Sequence, residues 1–425
     1  MSETRYYRKG LGNRERVLPL LHADYHSGLV EYWKANDYRY RTPTTEIRLA
    51  REFGFCYGVD RAVEYAYATR DRFPDKRIWI TGEIIHNPWV NRRLEEMGVR
   101  FLPPPGSEGD RLAEIAPDDV VLIPAFGVEQ SDFLRLRDRE VILVDTTCGS
   151  VLNVWKSVER YARDRFTAIV HGKVSHEETR ATCSQVQKYP GSHWLVLRDK
   201  EQAQWVCDFV TGRLDATQLL ERLGGSHSEG FDPTLHLAKI GVANQTTMLS
   251  TESLEIAEML GEAMRARHRQ TEISSQFRSF DTICSATQER QDAVLDLISE
   301  GIDLMIVIGG FNSSNTTHLV EISAQATSAF HVEDANCLVS PQWIRHQPLG
   351  RRAPVMHEGW LPERPLRIGV TAGASTPNSE TGRTIAKLLG FRGVSTVVID
   401  QLAAEGMRLR AEADRQAAES LNEGR

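Results

Sequence analysis

The sequence predicts an α/β protein of three similar lobes with mostly parallel sheets, arranged pseudo-threefold about a central site. Three observations predict it. Short apolar runs are followed repeatedly by a polar elbow and then an amphipathic stretch, as in DVVLIPAFGVEQSDFLRLRD and LMIVIGGFNSSNTTHLVEISAQA. That is the signature of strand-then-helix units. The units sort into three sets, each opened by a cysteine that precedes a helix: Cys56, Cys148 and Cys284. Polar elbows then recur at near-equal distances, with His86, His176 and Ser314 standing 30, 28 and 30 residues after those cysteines. Repetition on this scale implies copies of one supersecondary unit. Ligands of open parallel sheets bind beyond the carboxyl ends of the strands, so three equivalent cysteines there are expected to point at one another.

The elements follow in order. Residues 1–45 are polar, rich in Tyr and Arg, and form an extension leading into the core. The first lobe, 46–145, opens with EIRLAREFGFCYGVDRAVEYAYATR: an apolar run, the turn Phe53-Gly54-Phe55, then Cys56. Gly58 is expected to leave room at that turn, before an amphipathic helix. IWITGEIIHNPWVNRRLEEMG and the PAFG elbow complete the set. The second lobe, 146–273, holds Cys148, the HGKVSHEET elbow and the NQTT elbow, with a loop-rich insertion near 199–236. The third, 274–400, holds Cys284, the NSSN elbow and TAGAST, and residues 401–425 form a charged helical tail.

Composition narrows the function. Hydrophobic content of 41% and charged content of 26% are those of an ordinary globular chain. A net charge of -7 argues against a nucleic-acid partner. No apolar run approaches the length of a membrane span, and the N-terminal stretch resembles neither a secretory signal nor a transit peptide. Six cysteines in 425 residues are not a disulfide scaffold, so a reducing cytoplasm is expected.

Three converging thiolates suit a soft metal centre. Zinc on three cysteines usually recruits a histidine. An iron–sulfur cube usually takes four cysteines, so with three one iron stays open to substrate. Cys183, Cys207 and Cys337 lie outside the repeated position and are expected to be inert. The elbows offer His86, Asn87, His176, Thr246, Ser313, Ser314, Asn315 and Ser375 at helix N-termini, where unpaired N–H groups favour phosphate. Any one of the Ser, Thr and Asn residues could equally be a helix cap. Glu178, in the first turn of its helix, is either a dipole-stabilising acid or a proton donor acting through Thr246.

With these residues assembled, GFCYGVDRAV, GEIIHNPWV, VDTTCGSV, HGKVSHEET, NQTT, TICSATQERQDAV, NSSN and TAGASTP resemble the 4-hydroxy-3-methylbut-2-enyl diphosphate reductase family from about residue 46 to 400. The resemblance implies the three-lobed α/β fold around one 4Fe–4S cluster per chain, held by Cys56, Cys148 and Cys284. It makes Glu178 the proton source and Thr246 its relay. His86, His176, Ser313, Ser314, Asn315 and Ser375 become the diphosphate pocket, with Asn87 beside them. The reaction implied is reductive removal of an allylic hydroxyl bound to the open iron, giving isopentenyl and dimethylallyl diphosphates. Electrons would come from ferredoxin or flavodoxin, and a homodimer is allowed. Phe126 departs from the histidine that many bacterial members carry in this elbow. With the extension at 1–45, it resembles the cyanobacterial and plastid branch. Two other readings stand beside this one: a zinc-dependent hydrolase of a phosphorylated substrate, and a non-catalytic iron–sulfur or diphosphate-binding module.

Overall fold

A computed structural model describes residues 5–269 and 273–423. Residues 1–4, 270–272 and 424–425, which the sequence assigns to the extension, the second lobe and the tail, lie outside the described residues. The chain divides into two compact units. One comprises Met1–Gly12, Arg61–Ile85 and Arg92–Thr287; the other comprises Asn13–Asp60, His86–Asn91 and Gln288–Arg425. Among the described residues, no helix is long and apolar enough to cross a membrane.

The first unit holds two wholly parallel sheets. In the first sheet the strands run Tyr6–Tyr7, Ile142–Asp145, Val120–Ile123, Ile78–Ile80 and Val99–Phe101. In the second they run Phe277–Ser279, Ile240–Asn244, Thr167–His171 and Trp194–Leu197. The strands are apolar on both faces because helices cover both. Along Thr167–His171, Ala168 and Val170 pack beneath Val154, Val158 and Tyr161 of the helix Gly149–Arg163. Ile169 faces the opposite cluster with Val206, Ile256 and Leu260. Tyr161 lies flat over Gly241, where any side chain would collide with its ring, and its hydroxyl donates to the Val242 carbonyl at 2.7 Å.

Beside a small antiparallel pair, Trp343–His346 with Val355–Glu358, the second unit is built on a five-stranded sheet ordered Ser328–Val332, Leu304–Ile308, Leu366–Ala372, Thr45–Leu49 and Arg39–Arg41. All pairs of that sheet are parallel except the last. The strand that feeds Cys56 therefore lies beside the strand that ends in TAGAS, with the paired residues Ile47 and Ile368 321 positions apart, so the ladder joins distant parts of the chain.

Two expectations change. The 199–236 insertion is not loop-rich: it forms helices Lys200–Val210, Ala216–Leu223 and Pro233–His236. Each starts at an aspartate whose carboxylate accepts from the first turn: Asp199, Asp215 (with Gln218 completing a capping box) and Asp232. The left-handed residue of the FGFC turn is Gly54, with φ of 72°, whereas Gly58 lies inside the helix Tyr57–Arg72.

The extension contributes to both units. Tyr6–Tyr7 adds an edge strand to the first sheet. Val30 and Trp33, on helix Gly28–Ala35, are fully buried in the core of the second unit, where the Trp33 indole donates to the Ile47 carbonyl at 3.2 Å. The long helix Thr396–Glu423 packs across Gly28–Ala35. The two backbones touch: a side chain at Gly406 would meet the Gly28 carbonyl, and one at Gly28 would meet that of Ala403. Gly406→Leu is therefore expected to lower stability by about 1–3 kcal/mol, the usual cost of overpacking. Thermal unfolding followed by circular dichroism checks this, and an unchanged midpoint would contradict the close helix contact.

Candidate functional site

Each cysteine of the repeat stands where a strand gives way to a helix, and each is anchored in the same way. The Cys148 amide donates to the Ala125 carbonyl at 3.0 Å, the Cys284 amide to Thr246 at 3.4 Å, and the Cys56 amide to Ala374 at 3.2 Å. The acceptors belong to the PAFG, NQTT and TAGAS elbows, so every cysteine is tied to the elbow of the adjoining strand. Cys148 is the N-cap of Gly149–Arg163, and Cys56 and Cys284 directly precede Tyr57–Arg72 and Ser285–Ser299. Helix N-termini stabilise thiolates.

These three thiols are half-buried and outside any disulfide, whereas Cys183, Cys207 and Cys337 are buried. Burial pushes the Cys183 thiol well above its usual range and that of Cys207 up to about 11. The exposed set thus has the softness and position of metal ligands, and the buried set does not. Cys148 and Cys284 belong to one unit and Cys56 to the other. Among the described residues no three His, Cys, Asp or Glu side chains are gathered as a metal site.

In the first unit, His176 caps the helix Glu177–Val186, its Nδ1 accepting from the Glu178 amide at 3.1 Å. An accepting Nδ1 leaves the hydrogen of the neutral ring on Nε2, which is then a donor. Phe126 meets His176 edge-on, with ring centroids 5.6 Å apart and planes at 83°. Glu178, only 1% exposed, receives the Thr246 amide on Oε1 at 2.6 Å and the Thr246 hydroxyl on Oε2 at 2.9 Å. The same Thr246 accepts the Cys284 amide on its carbonyl. One residue therefore links the buried carboxyl to a cysteine of the repeat.

Three residues that sequence reasoning missed hold this arrangement. Gln245 accepts from the Thr179 hydroxyl at 3.0 Å and the Lys173 amide at 3.1 Å, and donates to the Thr247 hydroxyl at 2.8 Å. It staples the HGKVSHEET elbow to the NQTT elbow. Asp145 accepts the Thr147 amide at 2.9 Å and hydroxyl at 2.5 Å, fixing the turn into Cys148. The Tyr6 hydroxyl also donates to Asp145, and burial together with that carboxylate raises the phenol far above its usual range. Thr282 bonds both the amide and the carbonyl of Asn244, shaping the approach to Cys284. Their signal was weak but present: each stands in or beside a quoted motif.

In the second unit the NSSN elbow meets His86 and TAGAS. Asn312 Nδ2 donates to His86 Nδ1 at 3.3 Å, which again leaves the ring hydrogen on Nε2. The Ser375 hydroxyl donates to the His86 carbonyl at 3.0 Å, and Gly310 lies so close to that carbonyl that a side chain there would clash. Ser313 caps the helix Ser314–Ala324. Asn87 is also a cap, its Oδ1 accepting from the amides of Trp89 and Val90. Asn315 Oδ1 accepts the Ala374 amide at 2.8 Å. Ser314 Oγ and Asn315 Nδ2 are buried without a hydrogen-bond partner among the described residues. Buried donors are rarely left so. Two of them at one helix N-terminus suit an oxygen-rich anion.

The LytB protein family model matches residues 47–389. The chain belongs to the LytB family. A relative from Thermosynechococcus vestitus is 44% identical over 397 residues, covering 93% of this LytB chain and 97% of the relative, and bears the name 4-hydroxy-3-methylbut-2-enyl diphosphate reductase. One from Gloeothece citriformis with the same name is 43% identical over 394 residues, 92% of this chain and 96% of the relative. The solved structure of the E-1-hydroxy-2-methyl-but-2-enyl-4-diphosphate reductase from Plasmodium falciparum shares the fold, with a TM-score of 0.58 at 21% identity over 81% of this chain and 89% of that one.

The NSSN elbow of this LytB protein carries a pH liability. His331 Nε2 donates to the Gly309 carbonyl at 3.0 Å. Burial lowers the His331 pKa to about 4, against a weaker opposing pull from that carbonyl and that of Gly310. The ring is neutral in the fold, while the unfolded chain takes up a proton below about 6.5. The stability it supports is whole above pH 6.5 and falls as pH drops toward 4, by on the order of 3 kcal/mol. His331→Gln, which keeps a donor but cannot titrate, is expected to flatten the fall in urea midpoint between pH 6.5 and 4.5. An unchanged slope would contradict it.

Proposed function

We propose that this chain is a 4-hydroxy-3-methylbut-2-enyl diphosphate reductase. It removes the allylic hydroxyl of its substrate with two electrons and two protons, and releases isopentenyl and dimethylallyl diphosphates as the last step of the methylerythritol phosphate route. What carries the reading is the near full-length likeness to proteins of that name, 44% identity over 93% of this chain and 97% of the relative.

The site residues support it. Cys56, Cys148 and Cys284 would hold one 4Fe–4S cluster, and their shared anchoring and helix-terminal position suit that role. When bound, such a cluster supplies electrons singly and an iron with an open position. The diphosphate is received by neutral donors: Ser314 Oγ and Asn315 Nδ2, which lack partners among the described residues, and the Nε2–H groups of His86 and His176. Ser313 and Ser375 set the elbows around it, and Asn87 holds the start of the His86 helix. Phe126 offers no donor and instead packs on His176. Glu178 holds the proton that lets the hydroxyl leave as water, and its burial and twin bonds to Thr246 keep the carboxyl away from bulk solvent. Electrons come from ferredoxin or flavodoxin in the cytoplasm.

The chain purified without oxygen is expected to be brown, to contain iron and sulfide, and to convert the allylic diphosphate when given a reductant. Stoichiometric zinc in a colourless, active protein would overturn the reading in favour of a hydrolase. Binding of the diphosphate without turnover would leave only a binding module. Glu178→Gln is expected to keep its iron and lower kcat about a hundredfold, the usual scale for a general acid. A fall of less than about tenfold would remove Glu178 from the mechanism.

A further inference from the structure

We infer that Arg290 is the positioning residue for Cys56, holding its turn and placing a fixed positive charge at that turn. This rests on the reading of Cys56 as a metal ligand. Arg290 is 3% exposed. Its Nε and Nη2 donate to the Gly54 carbonyl at 3.1 and 2.7 Å, and Nη2 also donates to the Phe55 carbonyl at 3.2 Å. The other edge of the turn is already engaged, with the Gly54 amide on Ala372 at 3.1 Å and the Cys56 amide on Ala374 at 3.2 Å. Amides and carbonyls of the turn are thus pinned from opposite sides. Gly54 is left-handed there, and a side chain would strike Asn378 and the Thr376 carbonyl.

A guanidinium is suited to this because its planar fork sets Nε and Nη2 together on the Gly54 carbonyl while Nη2 also reaches Phe55, a fixed three-bond geometry that a single flexible ammonium does not reproduce. A buried cation is costly unless its hydrogen bonds are made, so the placement is specific to this turn. The other two turns are held differently. At Cys148 the Asp145 carboxylate holds Thr147, whose carbonyl also accepts from Arg61 at 3.2 Å, and Cys284 relies on the Thr282 hydroxyl. What marks the Cys56 turn is that two of its successive carbonyls are held by one buried guanidinium. A cation at the Cys56 turn favours the more negative, reduced state of whatever the thiol holds.

The test compares the full chain with Arg290→Gln and Arg290→Lys, metal-free and loaded without oxygen. In the metal-free Gln variant, hydrogen exchange at residues 54–57 is expected to rise about tenfold, the scale of losing a net hydrogen bond or more. Peptides containing Cys148 and Cys284 should be unchanged. In the loaded Gln variant the midpoint potential should fall and the EPR signal of the reduced protein should change. The Lys variant should recover the potential, because it keeps the charge, but not the exchange protection, because it lacks the fork. Parent-like exchange at 54–57 in either variant, or a Gln variant with the parent potential, would overturn the assignment. If the Gln variant does not fold, the Lys variant decides on both readouts. A parent chain that takes up no iron would overturn the functional reading instead, and the metal-free exchange would still judge Arg290's hold on the turn.

Discussion

The backbone N–H of each repeated cysteine, bound to a carbonyl of the neighbouring elbow, is the contact on which the rest of the site depends. It exists because the strand entering each cysteine pairs in parallel with the strand ending in that elbow: Thr45–Leu49 with Leu366–Ala372, Ile142–Asp145 with Val120–Ile123, and Phe277–Ser279 with Ile240–Asn244. A slip of one residue in any ladder would move the thiol by about 3.3 Å and turn it to the other face. The register of three short ladders therefore fixes where the three thiols stand. The apolar cores on either side hold that register, since a slipped strand would send its buried side chains outward.

How much of this was legible in the sequence depended on range. The cysteines and elbows could be found because each is a local signal, a thiol or a cluster of Ser, Asn and His at a strand–helix seam, and because the signal recurs at matching intervals. The carboxyl at Glu178 and its partner Thr246 were also visible, although their 68-residue separation hid the bidentate geometry. Residues that serve by holding others lay inside quoted motifs, but their roles were not legible. Arg290 bonds carbonyls 236 and 235 positions away, and carbonyls carry no side-chain identity to read. Asp145 and Gln245 look like ordinary polar residues until the elbows they bind are brought together. The polar, Tyr-rich composition of residues 1–45 concealed a buried Trp33 and an edge strand, because burial there comes from only a few positions. The insertion at 199–236 misled for the opposite reason: its glycines and serines stood out, while three aspartate caps passed unremarked.

Charge is distributed with a consistent logic. Several arginines are committed to the framework: Arg290 to the Cys56 turn, Arg61 to the Thr147 and Arg8 carbonyls, Arg392 to the carbonyls of Thr44, Pro362 and Arg364. The elbows proposed for the diphosphate offer hydroxyls, amides and imidazole N–H groups at helix N-termini instead. Neutral donors in a buried setting orient an anion sharply, since each bond is directional and poorly screened. They also avoid a fixed ion pair that would hold a diphosphate product as firmly as the substrate, and uniform binding of that kind adds nothing to turnover.

Thr246 shows why these layers cannot be tuned separately. Its carbonyl is bound by the Cys284 amide, while its own amide and hydroxyl fix both oxygens of Glu178. Moving the cysteine turn moves Thr246, and moving Thr246 moves the acid. Proton transfer requires the acid within hydrogen-bond reach of the departing oxygen, and an error of about 1 Å can cost a hundredfold in rate. A side chain tethered at one point could swing by that much within its rotamer well. A carboxyl gripped at both oxygens by a single residue, itself locked into the ladder that places the thiol, cannot. On the proposed reading of Glu178 as the acid, the geometry converts the register of a β-ladder into the position of a proton.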